Sequence, residues 1–158
     1  MKVLAGMVLG VAILAVGVFF YFRLGLAPVA TASAPMPFEK FIAQGALDAR
    51  VKREAPTNVP IQADESNLAA GVKIYHDSCA MCHGLRGQEE TGIAKGMFPQ
   101  PPQFFVHASH GGGAVGQTFW VVKNGIRLTG MPGFGASMSD EQIWQVSLML
   151  EQRDRVQR

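Results

Sequence analysis

Cysteine is almost absent from this chain of 158 residues, which contains only Cys79 and Cys82. A disulfide between them would close a very small loop and add little stability. The chain also lacks any convincing stretch in which apolar and polar residues alternate, as they do in a half-buried strand. Without strands there is no βαβ unit, the setting of a thioredoxin-like Cys-x-x-Cys pair. These absences argue against a structural disulfide or a thiol redox pair and favour an all-α fold.

Acidic residues are missing between Glu90 and Asp140, while Lys95, Lys123 and Arg127 fall in this window. The window is therefore expected to present a mildly cationic edge that suits an acidic partner protein. The alternative is that these cations are simply solvated. The formal net charge of the whole chain is only +2, so a nucleic-acid partner has no support.

The two cysteines lie in the run Cys79-Ala80-Met81-Cys82-His83. Cys-x-x-Cys-His is the attachment site of a c-type haem. The two thiols add to the vinyl groups on one side of the porphyrin, and the following histidine is held under the iron as its proximal ligand. Structural zinc would need a fourth ligand from His76, His107 or His110, and the usual zinc spacings are absent. The run predicts one covalent haem c held by Cys79, Cys82 and His83.

A second iron ligand is predicted in the segment 129–135, Thr-Gly-Met-Pro-Gly-Phe-Gly. Glycine and proline leave this backbone with little regular structure, which suits a loop that carries one side chain into a crevice. Met131 is therefore the predicted sixth ligand. A methionine is more often core filler. His107 and His110 are the main rivals for the iron.

Three segments together resemble the bacterial class I cytochromes c: Gly71-x-x-Ile74-Tyr75 with the haem motif, Phe119 to Ile126, and Thr129-Gly130-Met131-Pro132. The resemblance implies a small helical domain around one haem, with His83 and Met131 as axial ligands. It also implies that a proline carbonyl accepts the ring N–H of the proximal histidine, a role open to Pro101 or Pro102. Arg127 is a further candidate neighbour of the haem.

Helices are predicted from spacing and capping. One begins at Asp64 or Ser66 and runs to the haem motif. A second covers Phe119 to Lys123 and ends at Asn124-Gly125. Ser139 and Gln142 form a capping box that opens a third, whose apolar stripe is expected to pack across the first helix.

The N-terminal run from Val3 to Phe22 has no charge and is long enough to cross a bilayer as a helix. An uncleaved anchor is favoured over a signal peptide, although small-residue cleavage sites follow the run. The predicted organisation is an anchor or signal segment at 1–24, a spacer at 25–63, a cytochrome c domain at 64–153 and a C-terminal tail at 154–158. The spacer contains either a short amphipathic helix or a partly ordered stalk.

The resulting hypothesis is a membrane-anchored, mono-haem, one-electron carrier rather than an enzyme, with its haem domain on the periplasmic side of a bacterial membrane. Its expected partners are donor and acceptor proteins of a respiratory or dehydrogenase chain, and no small-molecule substrate is expected. Signal cleavage would instead give a soluble periplasmic protein. Two other functions stay open: a fixed haem subunit of a larger oxidoreductase complex, and a haem sensor or peroxidase-like protein with an open sixth site.

Overall fold

A computed structural model describes residues 1–105 and 114–153 of the chain. All regular structure in these residues is helical and none of it is strand, which confirms the all-α fold class. The rivals His107 and His110, and the predicted tail at 154–158, lie outside the described residues. The helices are α1 (Lys2–Arg23), α2 (Glu39–Glu54), α3 (Glu65–Ser78), α4 (Ala80–His83), α5 (Gly92–Lys95), α6 (Val115–Asn124) and α7 (Asp140–Glu151).

The chain separates into two compact units, and the first, Met1–Lys40, contains α1. None of the side chains of α1 is buried, although nearly all of them are apolar. By length and composition α1 is able to cross a membrane. This helix therefore fits either a membrane anchor or a signal sequence.

The second unit, Phe41–Arg158, begins within α2. Val51 of α2 is buried, and the Glu54 side chain at the end of the helix pairs with Arg50 Nε at 2.7 Å. Phe41 and Ile42, by contrast, are mostly exposed. A helix thus occupies much of the region for which the sequence left a helix or a stalk open, while the domain boundaries proposed above stay a prediction.

Helix α3 leads to the haem motif. Its N-cap is Asp64, whose carboxylate accepts the backbone N–H of Asn67 at 2.9 Å. Gly71, one turn before Tyr75, packs so closely on α7 that a Cβ atom there would collide with the carbonyl oxygen of Gln145. The small residue therefore lets the two backbones approach each other.

Helix α7 supplies most of the buried core. It opens with the predicted capping box: the Ser139 N–H donates to Gln142 Oε1 at 2.9 Å, and the Gln142 N–H donates to Ser139 Oγ at 3.2 Å. Trp144 stacks on Phe119 of α6 with ring centroids 4.0 Å apart. As predicted, α7 packs against α3, and it also contacts α6. The core consists of Tyr75, Ala80, Phe119, Val122, Ile143, Trp144, Val146, Met149 and Leu150.

Candidate haem-binding site

The attachment motif forms a single tight turn at the end of α3. Cys79 is both the C-cap of α3 and the residue that precedes α4. Its carbonyl oxygen accepts the N–H groups of Cys82 and His83 at 3.1 and 2.9 Å. Both thiols are half-buried and neither is in a disulfide. The backbone therefore presents two reduced cysteines and a histidine from one turn, as covalent attachment of a haem requires.

The Cys79 thiol lies in an apolar setting. Burial raises its pKa to about 11, and the neighbouring Cys82 contributes to the shift. Cys79 is therefore a protonated thiol at neutral pH. A neutral thiol in an apolar setting is compatible with a sulfur that becomes a thioether.

The imidazole of His83 is fixed from two directions. Its Nδ1 atom lies 3.0 Å from the carbonyl oxygen of Pro102. Phe104 stacks on the ring with centroids 4.8 Å apart and planes inclined by 13°. Burial lowers the pKa of His83, and the hydrogen bond to Pro102 offsets part of that shift. A neutral imidazole whose Nδ1–H donates to Pro102 leaves the Nε2 lone pair for a metal, so this residue fits an iron ligand.

The structure thereby distinguishes the two candidate prolines. Pro102 is the one whose carbonyl faces His83, while the carbonyl of Pro101 accepts the side-chain amide of Gln103 at 3.1 Å. Arg127, the third candidate neighbour, is exposed.

The buried side chain of Tyr75 stabilises the turn that carries the haem motif. Its hydroxyl donates to the carbonyl oxygen of Gly84 at 2.8 Å, and its ring meets the edge of Phe105 at 5.2 Å. Burial raises the pKa of the Tyr75 phenol, so this group remains a hydrogen-bond donor. Tyr75 belongs to α3, and Gly84 directly follows His83. The turn is therefore attached to α3 through the chain before His83 and through this hydrogen bond after it.

The loop that carries Met131 is secured mainly by backbone groups. The Met131 carbonyl accepts the N–H of Ile126 at 3.1 Å. Further along, the N–H groups of Phe134 and Gly135 donate to carbonyls in the last turn of α6 at 2.9 and 3.0 Å. Two side chains take part: Thr129 Oγ1 accepts the Met131 N–H at 3.1 Å, and Ser137 Oγ donates to the Phe134 carbonyl at 3.3 Å.

Gly125 makes this arrangement feasible. It follows α6 with φ 68° and ψ −175°, a combination that is essentially confined to glycine. A Cβ atom at this position would lie only 2.5 Å from the backbone nitrogen of Gly133. The loop therefore packs directly against the backbone at the end of α6.

Met131 and Cys79 are both partly buried and pack against the same apolar core, as does Phe104 beside His83. Cys79 and Met131 thus pack against one apolar core. A second thioether is close by, because the Cε atom of Met97 fills the space where a side chain at Gly130 would stand. Sequence spacing alone counted against Met97, which lies only a short distance along the chain from His83.

The cationic edge expected from the sequence is reduced by an ion pair. Lys123 Nζ lies 2.7 Å from a carboxylate oxygen of Asp140 and sits over the Phe119 ring, so it is occupied within the domain. Lys95 and Arg127 are the other two cations of that window. In residues 1–105 and 114–153, no group of three or more histidine, cysteine and acidic side chains is arranged to hold a metal ion.

Two neighbours of His83 escaped the sequence analysis, namely Gln103 and Phe104. Both follow the paired prolines, and that position was the only available signal. Their contacts with the motif join residues about twenty positions apart, so helical periodicity gives no hint of them.

Comparisons with known proteins identify a family and a similar solved structure. The family described as cytochrome C oxidase, cbb3-type, subunit III matches residues 66–148, from the first turn of α3 into α7. A solved chain of the reducing HAO-like protein complex of Kuenenia stuttgartiensis is similar over 60% of this chain, with 25% identity and a TM-score of 0.51. The match spans 47% of that solved chain, less than half of its length. No curated protein matches the chain.

Proposed function

Since this chain belongs to the cytochrome C oxidase, cbb3-type, subunit III family, whose domain is a class I-like c-type cytochrome, we propose that it carries single electrons through one haem ligated by His83 and Met131. Family membership implies a covalently bound haem and supports electron transfer. The observation that supports the proposal best is the 3.0 Å contact between His83 Nδ1 and the Pro102 carbonyl, because a hydrogen bond there leaves Nε2 as the ring nitrogen that would bind iron.

Cys79 and Cys82 would hold the haem covalently, and His83 and Met131 would be its axial ligands. When bound, the haem supplies a one-electron couple at its iron. Pro102 and Phe104 orient the imidazole, and Thr129 orients the backbone of Met131. If His83 and Met131 both bind the iron, no coordination position would remain open for a substrate. We therefore propose that the chain is an electron-transfer protein and not an enzyme.

Restraint of the ligand-bearing segments suits this role. His83 is bounded by a hydrogen bond and a stacked ring, and the Met131 loop is hydrogen-bonded to α6. Ligands that keep their positions in both oxidation states require little rearrangement when an electron arrives or leaves.

The N-terminal helix supports a location at a membrane. We propose that α1 anchors the protein in the bacterial cytoplasmic membrane, with the haem domain on the periplasmic side. A tether raises the local concentration of a carrier near membrane-bound donors and acceptors. If the helix is a cleaved signal sequence, the mature protein is soluble in the periplasm instead.

A second candidate is a fixed haem subunit of a larger oxidoreductase complex. It is favoured by the similar solved chain, which belongs to a protein complex. The two candidates differ in the state of the protein after extraction. A mobile carrier migrates as a monomer in mild detergent, whereas a subunit co-purifies with a large complex in stable proportion.

The axial assignment is tested by Met131→Ala, with Met97→Leu as the matched control. The native protein is expected to show a low-spin, six-coordinate haem spectrum. Its reduced form should bind carbon monoxide slowly. Met131→Ala should remove the sixth ligand. The reduced variant should then bind carbon monoxide rapidly, because the iron has an open coordination position. Met97→Leu should leave the spectrum unchanged.

A spectrum that Met131→Ala leaves unchanged contradicts the assignment of Met131. If Met97→Leu then opens the sixth position, the thioether beside Gly130 is the ligand. If neither variant opens it, His107 and His110 are the next residues to replace. Rapid carbon monoxide binding by the native reduced protein would contradict the electron carrier and favour a sensor or peroxidase-like function.

A further inference from the structure

The side-chain amide of Gln103 lies between the two segments that surround the His83 imidazole. Its Nε2 atom donates to the carbonyl oxygen of Cys82 at 2.9 Å and to that of Pro101 at 3.1 Å. One acceptor is in the residue before His83 and the other in the residue before Pro102. A single amide group therefore joins the backbone of the imidazole to the backbone of its hydrogen-bond acceptor.

The other atom of this amide is unusual. Gln103 Oε1 is buried and, within the described residues, it has no hydrogen-bond partner. It lies against Gly84, where a Cβ atom would be only 2.5 Å away. Gln103 thus contacts the residues on both sides of His83. An unpartnered buried oxygen destabilises the fold, so an apolar side chain of similar volume would be the better choice if filling space were the only task.

The proline-rich segment 99–102 explains why a side-chain donor is needed there. Prolines at 99, 101 and 102 have no backbone N–H, so this stretch has little ability to tie itself to the haem motif through its own backbone. Gln103 supplies the missing donor, and its two hydrogen bonds fix the Pro101–Pro102 segment against Cys82.

We propose that Gln103 is a positioning residue, which sets the hydrogen bond from His83 Nδ1 to Pro102 and, through it, the strength with which His83 donates to the haem iron. The proposal rests on His83 being the proximal ligand in the function proposed above. A hydrogen bond accepted from the far nitrogen of a ligating imidazole raises the basicity of the ligand. A more basic ligand favours ferric over ferrous iron and lowers the reduction potential.

The test uses the full-length, haem-loaded protein and the substitution Gln103→Met, which keeps the volume and removes the amide. We expect the reduction potential to rise by an amount that corresponds to about a tenfold change in the reduction equilibrium, or 59 mV for one electron. We also expect the His83 Nδ1 proton to exchange with solvent several-fold faster, as measured by NMR of the reduced protein. This exchange rate reports directly on the contact with Pro102.

Gln100→Met is the matched control, because it makes the same chemical change at an exposed position of the same proline-rich segment. It should change neither the potential nor the exchange rate. Gln103→Asn keeps the amide but shortens its reach, so both effects should be smaller than in Gln103→Met. If Gln103→Met does not load haem, the comparison of Gln103→Asn with the native protein decides the question.

A native potential and a native exchange rate in the Gln103 variants would overturn the proposal. An equal shift in Gln100→Met would overturn it too, since the effect would then belong to the segment in general. Failure of the proposed function has a different signature: the unsubstituted protein would then lack a histidine-ligated haem.

Discussion

The two sides of the candidate haem site are stabilised by different kinds of contact. On the His83 side, the backbone hydrogen bonds of the turn are supplemented by side chains: a stacked ring, a glutamine amide and a buried tyrosine hydroxyl. On the Met131 side the contacts come mainly from backbone groups, with the loop hydrogen-bonded to the end of α6 and packed against Gly125. The His83 side should therefore respond gradually to side-chain replacement, whereas the Met131 side depends on glycine.

The largest effect is expected for Gly125→Ala, which attacks the Met131 side. Alanine is strained at φ 68° and ψ −175°, and its methyl group would push against the backbone of Gly133. Together these effects should lower the free energy of unfolding by about 3 kcal/mol. The haem should stay attached while the sixth ligand is lost from the spectrum. Denaturant unfolding and optical spectra of the loaded protein measure the two effects.

Gly92→Ala is the control for this substitution, because Gly92 has an ordinary backbone conformation and open space where a Cβ atom would stand. Its stability and spectrum should be close to native. If Gly125→Ala keeps native stability and a six-coordinate haem, the loop does not depend on backbone packing and the contrast between the two sides fails.

A smaller effect is expected for Tyr75→Phe on the His83 side. It removes the buried hydrogen bond to the Gly84 carbonyl but keeps the ring contact with Phe105. The expected loss is about 1 to 1.5 kcal/mol in the free energy of unfolding, since a buried acceptor is left without its donor. Thermal or denaturant unfolding measures it.

Thr129→Val is the matched change on the Met131 side, because Thr129 supplies the one side-chain hydrogen bond to the Met131 backbone. Thr129→Val should weaken the spectral signature of the sixth ligand. Tyr75→Phe should leave that ligand in place. Equal spectral changes in the two variants would show that the two sides are not independent.

The smallest effect concerns Asp64, at the end of α3 that is remote from the motif. Hydrogen bonds from the Asn67 backbone and from Ser66 hold the pKa of this carboxyl below its usual value of 3.8. A depressed pKa in the folded protein means that the cap contributes stability above pH 3.8, and that this contribution is lost as the pH falls through the folded pKa. The free energy of unfolding of Asp64→Asn should therefore depend less on pH in this range.

Urea unfolding at neutral pH and at several values below pH 3.8 measures this contribution. The difference between the native protein and Asp64→Asn should shrink as the pH falls. Glu65→Gln removes one charge from the same first turn without removing the cap, so its pH profile should follow the native one. A difference that is constant with pH would show that Asp64 caps α3 without a depressed pKa.

Local features were predictable from the sequence, because each depends on residues a few positions apart. The Asp64 cap, the box at Ser139 and Gln142, and the end of α6 at Asn124-Gly125 all lie where the sequence indicates. The haem motif is local in the same sense. These features lead directly to an all-α domain with a haem-binding turn at the end of a helix.

Contacts between distant segments were not predictable. Gln103 reaches Cys82, 21 positions away, and Met97 reaches Gly130, and neither pair has a periodic signal. The cationic window shows the same difficulty. Its acidic boundary was Asp140, and that is the residue which folds back to pair with Lys123. Counting charges along the chain therefore overestimates the positive charge that is available to a partner protein.

The Met131 loop has a consequence for protein engineering. Most of its hydrogen bonds use backbone atoms, and none of them uses the side chain of residue 131. Its geometry is thus largely independent of which amino acid occupies that position. The side chain at position 131 could therefore be exchanged for another iron ligand, such as an imidazole, while the backbone hydrogen bonds of the loop are kept.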